Sequence, residues 1–158
     1  MTIALGQPID DLALTLTGNQ QARLADFRGR HLVLYFYPKA STPGCTQEGQ
    51  DFRDAFPEFT ALNTSILGAS RDSLKAQENF KAKQGFPFDL VADTDESLCQ
   101  TFGVIKLKKL YGRESLGVER STFLIDAQGV LRREWRGVKV SGHVQQVLEA
   151  VRALATAN

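Results

Sequence analysis

Cysteine is scarce in this sequence: 158 residues carry two, Cys45 and Cys99. Two thiols make no disulfide scaffold, and a chain of this size needs none, because a domain of its mass buries roughly 70% of its unfolded surface. The expected setting is reducing and cytoplasmic. An excess of one charge is also missing. Nineteen Lys and Arg stand against eighteen Asp and Glu, for a net charge of +1. No strong field therefore draws the chain to nucleic acid or to an anionic membrane. No apolar run is long enough to span a bilayer. The opening "MTIALGQPIDDLAL" has no basic region ahead of a long apolar stretch, so no secretory signal is expected. The two histidines, His31 and His143, do not pair with the cysteines at any metal-ligand spacing, and no metal is expected. No repeat or Gly/Ser linker divides the chain, so residues 1–158 read as a single domain.

What is present alternates between strand and helix. Leu12, Leu14 and Leu16 run into Gly18-Asn19 as a strand and a turn. The almost wholly apolar "HLVLYFY", 31–37, fits a strand covered on both faces. Phe52, Ala55, Phe56 and Phe59 recur at helical spacing, and the stripe extends back to Cys45. Ser65 to Ala69 reads as a strand, and Asp72 as the cap of a helix running to Gln84, stopped by Gly85 and Pro87. Phe88 to Val91 reads as another strand. A short helix opening at Thr94 or Asp95 carries Leu98, Cys99 and Phe102. Val118–Ile125 and Val130–Trp135 pair around "DAQG". A last helix carries Val144, Val147, Leu148, Val151 and Leu154, with Ser141 as its cap. The basic segment Lys106, Lys108, Lys109 and Arg113 reads as a solvated loop. The pattern predicts an α/β fold, thioredoxin-like, with a mixed central sheet and helices on both faces.

Within that frame "YFYPKASTPGCTQE" puts a cysteine where a strand hands over to a helix. Thr42 reads as the N-cap and Pro43 as the first helical residue, where a missing N–H costs nothing. Cys45 then lies among the unpaired N–H groups of the first turn, at the positive end of the helix dipole, which favours a thiolate. Lowering a thiol pKa from about 8.5 to about 6 raises the thiolate fraction roughly thirty-fold at neutral pH. The weaker nucleophilicity of the less basic sulfur returns roughly ten-fold of that. Speed must therefore come from donors held against the charge that moves during reaction.

Pro38-x-x-x-Thr42-x-x-Cys45 matches the active-site motif of the peroxiredoxins, and the wider string resembles their bacterioferritin-comigratory, or peroxiredoxin Q, subfamily. "VERSTFLIDAQG" is similar to the strand pair in which that family carries its arginine, here Arg120. The resemblance implies reduction of hydrogen peroxide and organic hydroperoxides by Cys45 without metal or organic cofactor. Thr42, first-turn N–H groups and Arg120 would hold the two oxygens, and Pro38 would shield the sulfur. Glu48 would either orient Arg120 or be a solvated carboxylate favoured by the helix dipole. The product would be a sulfenic acid.

The sequence departs from the commoner subfamily pattern, which places a resolving cysteine where Gln50 or about where Lys81 stands here. Cys99 is the only other thiol and so the only candidate resolver, a role that would need local unfolding of one or both helices; it reads instead as a small buried hydrophobe. The expectation is a one-cysteine, monomeric enzyme recycled by thioredoxin or by glutaredoxin with glutathione. A disulfide oxidoreductase is disfavoured, because Thr46, Gln47 and Glu48 leave no C-x-x-C pair. A redox sensor would use the same Cys45 and differ in stopping after one equivalent of peroxide.

Overall fold

The computed structural model describes residues 3–156. The chain opens with the hairpin of β1 (Ala13–Leu16) and β2 (Gln20–Arg23), closed by Gly18 and Asn19 at positive φ, the handedness a tight hairpin turn requires. A 3-10 turn, Leu24–Phe27, leads to β3 (His31–Phe36). Then β3, β4 (Thr64–Ser70) and β5 (Asp89–Ala92) alternate with α1 (Pro43–Ala61) and α2 (Leu74–Gln84). A short α3 (Ser97–Thr101), the strands β6 (Ile105–Leu110), β7 (Arg113–Val118), β8 (Ser121–Ile125) and β9 (Leu131–Arg136), and α4 (His143–Thr156) follow. No described helix is long and apolar enough to cross a membrane.

Seven strands form one sheet in the order β2-β1-β5-β4-β3-β8-β9, with β3, β4 and β5 parallel and the remaining pairings antiparallel. The register pairs Phe36 with Ala69 and with Ser121, and Ala69 with Val91. The C-terminal ends of the three parallel strands therefore meet the start of β8 at one end of the sheet. The central strand β3 feeds both cores by its period-two alternation. Val33, Tyr35 and Tyr37 join Cys45, Phe52, Phe59, Phe80, Leu124 and the stripe of α4 on one face. Leu32, Leu34 and Phe36 join Leu98, Cys99, Phe102, Val118 and Phe123 on the other. The helices α1, α2 and α4 cover the first face, while α3 and the 3-10 turn lie over the second.

Several sequence expectations need correction. Asp72 does not cap α2; Ser73 does, its hydroxyl accepting from Ala76 N–H at 3.1 Å. The opening of α3 is satisfied from Asp93, whose carboxylate accepts from Leu98 and Cys99 N–H at 3.0 and 2.8 Å. The basic segment is not a loop: β6 and β7 form a separate two-stranded sheet closed by Tyr111-Gly112. The stretch 118–125 is not one strand either, since it breaks at Glu119-Arg120. That break sends Val118 into one core and Leu124 into the other, so Val118 does not share a face with Arg120.

Candidate active site

The first turn of α1 stands at the end of the sheet where the parallel strands finish. Pro38 is half-buried just after β3, where it offers no N–H to extend the ladder beyond Tyr37, whose own N–H reaches Ala69 O at 3.0 Å. The loop then turns sharply, with Ser41 at φ +66°, a conformation non-glycine residues seldom take. Asp72 anchors this loop to the end of β4: its Oδ2 accepts from Ala40 N–H at 2.8 Å and from the Ser70 hydroxyl at 2.5 Å.

Thr42 takes the N-cap position with extended backbone and Pro43 opens the helix. The Thr42 hydroxyl does not cap, however. It donates to Lys39 O at 2.7 Å, and the first helical bond is Thr46 N–H to Thr42 O at 2.8 Å. The N–H groups of Gly44 and Cys45 precede any helical acceptor, so they remain available at the dipole's positive end.

Two donors of one guanidinium converge here from the break between β7 and β8. Arg120 Nη2 donates to Cys45 Sγ at 3.5 Å, and its Nη1 donates to Glu48 Oε1 at 2.8 Å. A single plane thus bridges sulfur and carboxylate one helical turn apart. Gly44 permits the approach, since a Cβ there would lie 3.1 Å from Nη2. Cys45 is 1% exposed, so the sulfur is covered. Glu48 is fully buried, which removes the solvated-carboxylate reading, and among the described residues its Oε2 has no hydrogen-bond partner. Burial pushes the Glu48 carboxyl up to about 7, against the pull of Arg120. Behind Arg120, Thr122 Oγ1 and His143 Nε2 are hydrogen-bonded at 2.8 Å, with the His143 ring edge-on to Phe52 and Trp135. Burial, aided by the charge of Arg120, lowers the His143 imidazole to about 4.

Cys99 is not part of this group. It is 0% exposed in the core on the opposite face of the sheet. Burial first, then the Asp93 carboxylate, raises its thiol pKa far above the usual range. Among the described residues, no three His, Cys, Asp or Glu side chains gather to hold a metal ion. Gly44, Asp72 and His143 were missed as parts of the site. A glycine in the first turn was the available signal for Gly44; the other two depend on which strand ends come together, which spacing does not carry.

Comparison with known proteins gives a consistent result. Residues 5–134 match the model of the AhpC/TSA family. The peroxiredoxin Bcp of Xanthomonas campestris is 54% identical over 145 residues, covering 92% of this chain and 91% of that one. The peroxiredoxin Bcp of Bacillus subtilis is 46% identical over 155 residues, covering 98% and 99%. A solved structure of the Xanthomonas campestris bacterioferritin comigratory protein, reported for its alkyl peroxide reduction activity, is 53% identical. It superposes with a TM-score of 0.88 over 92% of each chain.

Proposed function

The chain belongs to the AhpC/TSA family and is a peroxiredoxin, a thiol peroxidase, and on that premise we propose that Cys45 is its peroxidatic sulfur and Arg120 the donor that makes it fast. The observation that carries this is the guanidinium shared between Cys45 Sγ at 3.5 Å and Glu48 at 2.8 Å.

The thiolate of Cys45 attacks one oxygen of the hydroperoxide. An S–O bond forms, the O–O bond breaks, and the departing oxygen leaves with the electron pair and takes a proton to become water or an alcohol. Cys45 is left as a sulfenic acid. Negative charge moves from sulfur to the departing oxygen along this line. Arg120 Nη2 and the Gly44 and Cys45 N–H groups are fixed donors on that path, held before the reaction starts. The Thr42 hydroxyl, turned toward Lys39 O, must rotate to join them. Glu48 positions Arg120. Pro38 and the loop held by Asp72 close the sulfur off from bulk water. The substrates are hydrogen peroxide and organic hydroperoxides, a range supported by the alkyl peroxide activity reported for the 53% identical relative.

Recycling needs an external thiol. Cys99 lies across the sheet from Cys45, and a disulfide needs Cα atoms within about 7 Å. The reductant is thioredoxin, or glutaredoxin with glutathione. The enzyme works in the cytoplasm, a reading supported by two unpaired cysteines, and as a monomer, which the subfamily resemblance implies. Stopped-flow oxidation tests the assignment: Cys45→Ser abolishes the reaction, and Arg120→Ala slows it more than ten-fold, over about 1.4 kcal/mol of barrier. Normal oxidation without Arg120 removes the donor from the mechanism.

A further inference from the structure

Among the described residues, the hairpin β6–β7 is joined to no other strand. A lone two-stranded hairpin is marginal in water, and this one has poor internal reason to keep its apolar residues outside. Leu107 and Leu116 face each other directly in register, yet they are 59% and 61% exposed. Tyr111, at the tip, is 96% exposed. On the same side, Ile105 and Val118 run into the core, so an apolar stripe begins inside the molecule and continues into solvent.

Charge is segregated onto the same element. Residues 105–118 hold Lys106, Lys108, Lys109 and Arg113 against Glu114 alone, a net of +3. The whole chain carries +1, so the other residues together carry −2. Lys109 pairs with Glu114 at 3.2 Å and Lys108 donates to Val118 O at 2.7 Å. Lys106 and Arg113 make no ion pair among the described residues. The base of the hairpin packs in the core opposite Cys45, but the hairpin emerges at the end of the sheet where Cys45 lies, and two residues after Val118 comes Arg120. Arg71, just beyond β4, ties it down by donating to Leu116 O at 3.3 Å while pairing with Glu96 at 2.8 Å.

We propose that this hairpin is the docking surface for the thiol protein that reduces oxidised Cys45, and that this partner presents an acidic rim around an apolar patch beside its own cysteine. The proposal rests on the assignment of Cys45 above. The chemistry asks for such a partner. The sulfenic acid of Cys45 is attacked by a partner thiolate, forming an S–S bond and releasing water. A second partner thiol then attacks that bond, freeing Cys45 as a thiol and leaving the partner oxidised to a disulfide. No thiol of this chain lies on the Cys45 side to do the work, so an outside sulfur must be held near Arg120. Two leucines and a tyrosine offer contact area that a small thiol cannot use, and cations beside them steer an acidic protein toward the site. A second copy of this chain is a poor occupant, because its hairpin would bring +3 against +3.

Three rates test the docking: oxidation of Cys45 by hydrogen peroxide, its re-reduction by a bacterial thioredoxin of acidic isoelectric point, and its re-reduction by dithiothreitol. The variants are Leu107→Ser with Leu116→Ser, and Lys106→Glu with Arg113→Glu, each checked for an unchanged melting curve. The expected result is a ten-fold or greater fall in the thioredoxin rate in each variant, with the other two rates within two-fold of the parent. The parent thioredoxin rate also falls steeply with salt. Unchanged thioredoxin rates overturn the proposal, as does a parent rate no faster with thioredoxin than with dithiothreitol. Co-sedimentation of the parent with phosphatidylglycerol vesicles, lost in the variants while thioredoxin rates hold, overturns it in favour of a lipid surface. A parent chain that peroxide does not oxidise overturns the reading of Cys45 and the docking with it, and the first rate alone reveals this.

Discussion

The two cysteines are buried to the same degree and set up for opposite ends. Cys45 is 1% exposed and Cys99 0%. Each belongs to one of the two cores that the sheet separates. Beside Cys45 stands the Arg120 guanidinium at 3.5 Å; beside Cys99 stands Asp93, whose carboxylate takes the Cys99 N–H at 2.8 Å and opposes ionisation of the thiol. Burial alone therefore does not set the two thiols apart. The sign of the nearest charge does, together with a helix start whose N–H groups are free, and on the proposed assignment that difference decides which one reacts.

A limiting dose of peroxide makes the two thiols compete. With one equivalent of hydrogen peroxide, oxygen is expected at Cys45 and not at Cys99, by a ratio of at least about one hundred. Peptide mapping by mass spectrometry reads it. A Cys45–Cys99 disulfide as the main product would refute both the comparison and the one-cysteine mechanism, since the two sulfurs cannot meet with the sheet intact.

The groups around Arg120 titrate in opposite directions. His143 is held at about 4 against an ordinary 6.5, so the unfolded chain binds the proton more tightly. Its contribution is complete above pH 6.5 and is lost as pH falls toward 4, about 3 kcal/mol over the window. Glu48 works the other way. Its carboxyl is raised to about 7 from 4.5, so the folded chain keeps the proton longer, and stability falls by about 3 kcal/mol as pH rises from 4.5 to 7. In the parent the two slopes oppose each other between pH 4.5 and 6.5. Removing one exposes the other: urea unfolding of His143→Gln should show stability declining with rising pH, and that of Glu48→Gln declining with falling pH. Parallel curves for both variants would mean that neither group titrates as its surroundings dictate.

The sequence carried the helix that bears Cys45 because its stripe is regular from Cys45 to Phe59, and it carried the strand before it because "HLVLYFY" is apolar on both faces. The pairing of Cys45 with Arg120 was legible only through resemblance. The two are 75 residues apart, and nothing in the spacing joins them. Asp72 shows the limit from the other side. Next to Ser73 it reads as a helix cap, but the end of β4 carries it to the Ala40 N–H, a contact decided by strand order. The hairpin 105–118 was hidden by its own lysines. They alternate with Ile105 and Leu107 as a strand requires, but basic density with exposed leucines resembles a loop when no sheet is known to receive it.

The smallest expected effect is also the most specific to the Cys45 side. Glu48 Oε1 is the acceptor that fixes Arg120 Nη1, and its Oε2 has no partner among the described residues. An amide in its place still accepts that bond through its carbonyl oxygen but no longer titrates. Glu48→Gln should therefore change the rate of Cys45 oxidation at pH 8 by less than ten-fold while removing an inflection near pH 7 from the rate profile. Glu48→Ala leaves Nη1 without its acceptor and should lose about as much as Arg120→Ala. The ordering separates positioning from mere filling of space. If alanine were as fast as glutamine, Arg120 would be held by something other than Glu48, and the guanidinium's place at the sulfur would depend on the backbone break between β7 and β8 alone.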